Sequence, residues 1–384
     1  ELATLRETAT DSTDIIPAIG RLSRAVRAKV GENLRRVQAA RSLDKVTTPS
    51  LEALQKYVQG ARYLEVNNDW ERGKPLLEEA IALDSGFAMA YRKLAAEENN
   101  RFGSAARIHF LVQKAYDNRQ RLTDAERLIT EGSYFAYGPQ PDGNKVLAAY
   151  ERLLELDPEN VTALNNASVQ YRNMLQFEKA EEYARRAVAL QPSASVFFGN
   201  VYRNQIALGK LDAADTTLRA MAAALPNNPA VASGYMVSAY MRGNLDSAEA
   251  IARRKLADAS SATQRTGNDW MGAIAGTRGQ IAAGVRYAAA SGELLRQQGA
   301  KAAPISAAIV EARAIVRFRD DNVAALRVVD AALARTPLEG IPLADRPYNE
   351  LAEFYALAGL PDKARAALAG FDQRHAAAAD LDDI

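Results

Sequence analysis

The sequence predicts an all-α solenoid built from about nine stacked helix pairs. Three consecutive segments of 34 residues, starting at Val161, align on one another without a gap. The residues that recur at this period are Pro158, Pro192 and Pro226, Ala180, Ala214 and Ala248, and Gly209 and Gly243. Within each segment the apolar residues follow helical spacing. A period of this length with such spacing is typical of helix-turn-helix units that stack side by side.

The unit that starts at Val161 shows how each pair is built. Its first helix is predicted from an apolar stripe at the spacing i, i+3, i+4 and i+7, formed by Leu164, Ala167, Ser168 and Tyr171. Its second helix carries the facing stripe, formed by Ala180, Ala184 and Ala187. In the next two units Gly209 and Gly243 are predicted at the turn between the helices. Glycine suits this turn because it adopts the left-handed conformation without steric cost.

At these residues the chain resembles the tetratricopeptide repeat (TPR) family. The stretches at 163–171 (ALNNASVQY) and 178–192 (EKAEEYARRAVALQP) follow the family's pattern of bulky, small and aromatic positions in register. The resemblance implies a right-handed superhelical solenoid over residues 51–378, in which the first helix of each pair lines a concave groove. The repeats are expected at about 51–84, 85–118, 127–160, 161–194, 195–228, 229–262, 265–298, 306–339 and 345–378.

Residues 1–50 are predicted to form a separate N-terminal region. Residues 1–11 alternate briefly, which predicts a strand, and residues 14–40 predict a long amphipathic helix. The polar face of this helix carries one acidic residue, Glu32, and many basic ones: Arg21, Arg24, Arg27, Lys29, Arg35, Arg36 and Arg41. A basic helix can bind nucleic acid or lipid headgroups. A solvated face is the simpler interpretation, because the chain as a whole is neutral.

The order of residues across this region resembles a junction in multidomain bacterial signalling proteins. In those proteins a small α/β domain leads into a TPR array behind a serine/threonine kinase, a nucleotide cyclase or a winged-helix regulator. The resemblance covers roughly residues 1–230. It implies that the chain is part of a larger signalling protein, for which we prefer the extracytoplasmic side of a membrane receptor over the cytoplasm.

Three departures from the regular period are expected. Thr123 and Glu126 form a capping-box pattern, which predicts that a helix starts there, and the breaker-rich residues 138–143 predict the turn that follows. Gly284 and Ser291 replace alanines in repeat seven, which we interpret as a degenerate repeat. Residues 336–347 contain three prolines and are the most loop-like stretch.

Composition argues against several classes of partner and site. The chain has 384 residues, of which 48 are basic and 47 acidic, so overall charge gives no support for binding nucleic acid. The sequence contains no run of about 18 apolar residues, which is the length that a membrane-spanning helix requires. Without cysteine there is no thiolate ligand, and the two histidines, His109 and His375, are not part of a metal motif. No glycine-rich phosphate loop follows a predicted strand. We therefore predict no cofactor, no metal and no enzymatic activity.

A protein or peptide is the predicted partner, and the groove is its predicted site. The groove positions implied by the resemblance are occupied in repeats four to six by Asn165, Asn166, Arg172, Asn173, Asn200, Arg203, Val237, Tyr240 and Met241. Asn166 and Asn200 lie 34 residues apart, at a position where relatives bind the main chain of an extended peptide. Arg172 and Arg203 predict that the groove prefers ligands with acidic side chains. Val237, Tyr240 and Met241 predict an apolar wall of the groove.

Other interpretations of the same residues stay open. The asparagines could cap neighbouring helices, and Tyr240 could pack against repeat seven. The chain as a whole could be a structural array that self-associates as a homodimer through repeat seven or the breaker-rich loops. An accessory domain of an enzyme is a remote alternative, because no group of residues resembles a catalytic site.

Overall fold

A computed structural model describes residues 4–11, 14–29, 48–65, 69–101, 103–226 and 228–376. In this part of the chain there are nineteen α-helices and no strand. Helix α1 (Ile15–Lys29) precedes nine successive helix pairs. The prediction of an all-α solenoid of about nine helix pairs is confirmed.

The first three pairs lie between residues 51 and 156. They are α2 (Leu51–Glu65) with α3 (Trp70–Leu83), α4 (Ala88–Asn100) with α5 (Ala105–Asp117), and α6 (Asp124–Tyr137) with α7 (Gly143–Leu156). The capping box predicted before α6 is present, since Thr123 accepts from the Glu126 amide and the Glu126 carboxylate accepts from the Thr123 amide. A 3-10 turn (Arg119–Arg121) precedes it.

Pairs four to six form the regular block, and pairs seven to nine follow it. The regular block is α8 (Val161–Asn173) with α9 (Phe177–Leu190), α10 (Ser195–Ala207) with α11 (Leu211–Ala224), and α12 (Pro229–Met241) with α13 (Leu245–Leu256). The later pairs are α14 (Ser261–Thr277) with α15 (Ile281–Gln297), α16 (Ala303–Arg319) with α17 (Asn322–Arg335), and α18 (Tyr348–Leu357) with α19 (Pro361–Ala376). The loop predicted between pairs eight and nine contains two short 3-10 turns (Leu338–Gly340 and Leu343–Asp345).

The chain divides into two compact units. The first consists of Glu1–Phe102 with Arg107–Pro158, and the second of Gly103–Ala106 with Glu159–Ile384. Every predicted binding residue lies in the second unit. The division of the sequence into residues 1–50 and a single solenoid over 51–378 stays a prediction.

The N-terminal region differs from the sequence-based expectation where the structure describes it. Residues 4–11 form no strand, and α1 (Ile15–Lys29) extends to the last described residue of its segment. The N-terminal segment is held by Arg21 instead, whose guanidinium lies 3.1 Å from Glu7 and 3.0 Å from Asp14. The rest of the predicted helix, with Arg35, Arg36 and Arg41, lies outside the described residues. An isolated strand without a partner is unstable, which explains its absence.

The stripes predicted for the regular block form its core. Leu164, Ala167, Ala180, Ala184 and Ala187 are all buried. Because the facing residues are so small, the hydroxyl of Ser168 on α8 reaches the carbonyl of Ala180 on α9, at 2.7 Å. In the fourth pair the two backbones therefore approach closely, as the alanine pattern predicts.

The turn glycines have the predicted conformation. Gly209 and Gly243 have φ of 70° and 76°, and Gly279 continues the series at 73°. Leu175 occupies the same place in the fourth pair and also has a positive φ, of 60°. A leucine there accepts a steric cost that the three glycines avoid.

Acidic residues on the second helices join consecutive pairs. Glu181, Asp215 and Glu249 lie 34 residues apart and each binds a base from the next pair. Glu181 lies 3.0 Å from Lys210, Asp215 lies 2.8 Å from Arg242, and Glu249 pairs with Arg278. The sequence suggests that the carboxylates of the second helices are solvated. That interpretation is wrong for Glu181, which is only 7% exposed.

Candidate functional site

Three first helices of the second unit carry all the predicted binding residues. Helix α8 contacts α10, and α10 contacts α12, so the three helices lie side by side. Asn165, Asn166, Arg172 and Asn173 come from α8, Asn200 and Arg203 from α10, and Val237, Tyr240 and Met241 from α12.

The asparagines of α8 and α10 form a chain of side-chain amides. Asn165 donates to the Oδ1 of Asn166 at 2.9 Å, and Asn200 donates to the Oδ1 of Asn165 at 2.8 Å. Asn165 and Asn166 are half-buried, whereas Asn200 is only 2% exposed. This chain of asparagine amides connects α8 to α10 of the next repeat.

Two arginines converge on the end of this chain. The Nη1 atoms of Arg172 and Arg203 both donate to the Oδ1 of Asn200, at 3.0 and 3.3 Å. Neither guanidinium pairs with a carboxylate among the residues that the structure describes. Burial lowers the pKa of Arg172, and the charge of Arg203 lowers it further. Arginine stays protonated in proteins, so two positive charges share one neutral acceptor.

These contacts bear on the predicted role of the asparagines. The Oδ1 of Asn200 already accepts from both arginines, so a ligand donor could bind this oxygen only by displacing one of them. Asn166 accepts a hydrogen bond and remains partly accessible. Binding of a ligand's main chain by Asn166 and Asn200 stays a prediction. Asn173, at the end of α8, is exposed.

The apolar part of the surface is partly used by the next pair. The Tyr240 ring makes an edge contact with Trp270 of α14, with centroids 5.3 Å apart, and its hydroxyl lies 2.7 Å from that of Thr277. This is the packing against repeat seven that the alternative interpretation expected. Val237 is half-buried against the core of the fifth pair, and Met241 is exposed. Met241 is therefore the most accessible apolar residue of the predicted wall.

A buried polar cluster beneath this surface was not predicted. Gln205, which stands where the fourth repeat has Tyr171, donates to Glu181 at 2.9 Å and accepts from Thr217 at 2.8 Å. The polar residue in place of an aromatic one was a signal in the sequence. Burial opposes ionisation of Glu181, but hydrogen bonds from Gln205, Lys210 and Arg185 outweigh it, so the pKa of Glu181 lies below its usual value.

The described part of the chain offers no arrangement typical of a metal centre. It contains no group of three or more His, Cys, Asp or Glu residues placed to hold an ion. His109 is half-buried on α5, and the side chain of His375 lies outside the description. None of the described helices combines the length and the apolar character that crossing a bilayer requires.

Comparisons with known proteins report on the fold. No protein-family model matches the chain. Yeast Tom70 is similar in structure over 98% of this chain and 72% of its own, with 14% identity and a TM-score of 0.49. PilW, a widely conserved type IV pilus biogenesis factor, matches 56% of this chain over 98% of its own, with 19% identity and a TM-score of 0.42. A tetratricopeptide repeat protein from Parabacteroides merdae matches 74% of this chain over its whole length, with 13% identity and a TM-score of 0.36. By its own repeat length and helix pairs, the chain is a solenoid of TPR-like fold.

Proposed function

We propose that this chain is a non-catalytic interaction module that binds an acidic protein segment on the surface formed by α8, α10 and α12. The observation that carries the proposal is the pair Arg172 and Arg203, which share the Oδ1 of Asn200 and have no carboxylate partner in the described structure. Arg185, Lys210, Arg242 and Arg253 of the regular block, by contrast, are each paired with an acid within the chain.

The chemistry of the two arginines favours a carboxylate ligand. A guanidinium and a carboxylate form charge-assisted, often bidentate hydrogen bonds, which are roughly twice as strong as neutral ones. A carboxylate placed between Arg172 and Arg203 would also relieve their mutual repulsion. Asn200 holds the two groups in place beforehand, so less side-chain entropy is lost on binding.

The neighbouring residues suit the rest of an extended segment. Asn165, Asn166 and Asn173 present amides, each of which can both donate to and accept from a peptide main chain. Met241 offers an exposed, flexible apolar contact at the other end. We include in the proposal that the chain serves a larger bacterial signalling protein, for which the support is the sequence resemblance around residues 14–54.

The proposal predicts that removing either positive charge weakens binding of acidic peptides. The probes are fluorescein-labelled 14-residue Gly-Ser peptides that carry two adjacent glutamates at varied positions, with glutamine versions as companions. Arg172→Gln and Arg203→Gln should each lower the affinity for the glutamate peptides by roughly 10- to 100-fold, because each removes a charge-assisted bond of about 1.5–3 kcal/mol. Fluorescence anisotropy measures this.

Arg254→Gln provides the matched control, since Arg254 is exposed on α13, away from the asparagine chain. It should bind the glutamate peptides as the parent does. The proposal is wrong if the parent binds glutamate and glutamine peptides equally well, or if all three variants lose the same affinity. A loss common to all three would reflect overall charge rather than a site.

A further inference from the structure

A cavity of about 460 Å³ lies in the second unit, between α14, α15 and α16. Ligand pockets in proteins span roughly 300–1,000 Å³, so this cavity is large enough to take apolar groups of a partner. Three of its lining residues are glycines within helices, Gly272 and Gly276 on α14 and Gly284 on α15. The cavity exists because these positions carry no side chain.

Packing of the neighbouring helices does not require glycine at these places. A Cβ atom at Gly276 would meet no other atom within 4 Å, and one at Gly272 would lie 3.7 Å from its nearest neighbour. At Gly234, by contrast, a Cβ atom would lie 2.2 Å from the side chain of Leu218. A glycine inside a helix lowers stability relative to alanine. Gly272 and Gly276 therefore keep space open rather than relieve a clash.

The walls of the cavity are largely apolar and partly open to solvent. Ile281 and Val285 of α15 line one side. Phe318 and Val310 of α16 line another, and Phe318 is 64% exposed although it is a large aromatic residue. Covering these side chains with an apolar group would remove them from water, which favours association.

One of the charged side chains at the cavity has no ion-pair partner among the described residues. Arg313 is paired with Glu353 at 2.6 Å, and Asp269 is paired with Arg265 at 3.2 Å. Arg317 is exposed and makes no hydrogen bond or ion pair with any residue in the described ranges. The rim therefore has a net positive charge, which is complementary to an acidic ligand group.

A buried amide adds a second polar group. Asn268 lines the cavity and is only 8% exposed. Its Nδ2 donates to the carbonyl of Gln264 at 3.1 Å, while its Oδ1 accepts no hydrogen bond from the described residues. This oxygen is accessible to solvent, so a donor on a ligand can bind it in place of water.

The cavity also continues the groove implied by the repeat pattern. The groove positions that the TPR resemblance implies are the second, fifth, sixth, ninth, twelfth and thirteenth of each first helix. In repeat eight, counted from Ser306, the lining residues Val310, Ala314, Arg317 and Phe318 fall at positions five, nine, twelve and thirteen. In repeat seven, counted from Arg265, Asp269 and Gly276 fall at positions five and twelve.

We infer that the cavity holds an apolar side chain of the partner segment, with a neighbouring carboxylate of that segment bound to Arg317. The inference rests on the proposed function, since it assigns a second contact to the same acidic partner. The partner is thereby specified as a segment in which a large apolar residue and an acidic residue lie close together. The NH group of such a segment's main chain can donate to the Oδ1 of Asn268.

The test uses an array of 14-residue Gly-Ser peptides, each with one Phe or Leu and one Asp placed one to four residues away. Companion peptides replace the apolar residue by Ser or the Asp by Asn. The parent protein should bind some apolar-acid peptides at least about tenfold more tightly than either companion, because both contacts contribute. Gly276→Leu fills the cavity and should remove the tighter binding of the apolar-acid peptides relative to both companions. Arg317→Gln should remove only the difference in affinity between the Asp peptides and their Asn companions.

Ala273→Leu is the matched control, because Ala273 is exposed on the same helix and does not line the cavity. It should bind the peptides as the parent does, and thermal melts should show all three variants folded. The inference is overturned if apolar-acid peptides bind no better than their Ser companions, or if Gly276→Leu retains the full advantage. If glutamate peptides still respond to Arg172→Gln in that case, the proposed function stands without it.

Discussion

Leu175 holds a backbone conformation that the following repeats give to glycine. Its φ is 60°, in the left-handed region, and its side chain is 74% exposed. A left-handed residue other than glycine costs about 1–2 kcal/mol, and little apolar burial is lost when this side chain is removed. We expect Leu175→Gly to raise stability by about 0.5–1 kcal/mol, because the flexibility of glycine in the unfolded chain offsets part of the gain.

Urea unfolding followed by circular dichroism measures this change. Leu175→Ala is the control, because alanine keeps the Cβ atom that causes the strain, and it should show no comparable gain. A lower midpoint for Leu175→Gly than for Leu175→Ala would show that the leucine side chain stabilises the turn by contacts that outweigh its strain.

Asn200 illustrates how a predicted ligand contact can have a structural use. The repeat pattern places it in the groove, but its amide joins Asn165 to Arg172 and is almost fully buried. We expect Asn200→Ala to destabilise the chain by about 1–3 kcal/mol, because it leaves polar partners unsatisfied. Asn173→Ala, at an exposed position on α8, should change stability by less than about 0.5 kcal/mol.

Thermal melting of both variants separates these expectations. Equal melting temperatures for Asn200→Ala and the parent would show that the amide chain contributes nothing to the fold. That result would favour the prediction that Asn200 binds the main chain of a ligand over a structural use of its amide.

At the scale of the helices, the second helices do more than cover the first. Glu181, Asp215 and Glu249 extend from α9, α11 and α13 to bases of the following pair. The hydrogen bond from Arg278 lowers the pKa of Glu249. For Asp215 burial acts in the opposite direction, but hydrogen bonds from Ser238 and Arg242 leave its pKa below the usual value. Each consecutive pair in the regular block is thus joined by an acid whose charged form is favoured.

These lowered values predict a loss of stability in acid. An unfolded chain with ordinary carboxyl pKa values of about 4 binds more protons than the folded chain once the pH falls to that range. The contribution is therefore complete above about pH 5 and is lost as the pH falls below 4 through the lower folded values. We expect the urea midpoint to fall over this interval.

A triple variant identifies the carboxylates responsible. Glu181→Gln, Asp215→Asn and Glu249→Gln together should lower the midpoint at pH 7 and flatten its dependence on pH between 5 and 3. An unchanged slope in the triple variant would assign the acid sensitivity to other carboxylates. Measurements at several salt concentrations distinguish buried from exposed pairs, because salt screens the exposed ones more strongly.

At the scale of the whole molecule, the helix pairs within each compact unit pack mainly on their neighbours, as expected for a solenoid. A change confined to one pair should therefore affect stability locally and leave distant pairs folded. The acidic contacts of α9, α11 and α13 repeat this arrangement in their polar chemistry. The cavity at α14 to α16 lies beside the degenerate seventh repeat, whose helices place Gly272, Gly276 and Gly284 at its wall.

The sequence by itself determined the helical class, the number of helix pairs and the turn glycines. These features depend on spacing along a single segment, as the stripe of Leu164 and Ala167 or the turn at Gly209 shows, and such spacing is read directly from the chain. It also marked Gly284 as a departure from the pattern. The partners of polar residues were not determined in this way.

Only the tertiary structure decided which of those residues are buried, bonded or left unpaired. Asn200 and Glu181 find their partners about one repeat away, on helices whose relative placement no local pattern specifies. The cavity beside Phe318 is formed by three helices from two pairs. It stays open because Gly276 has no side chain to occupy it. Periodicity fixes the units of a solenoid, whereas the polar contacts between units depend on the distances that packing sets.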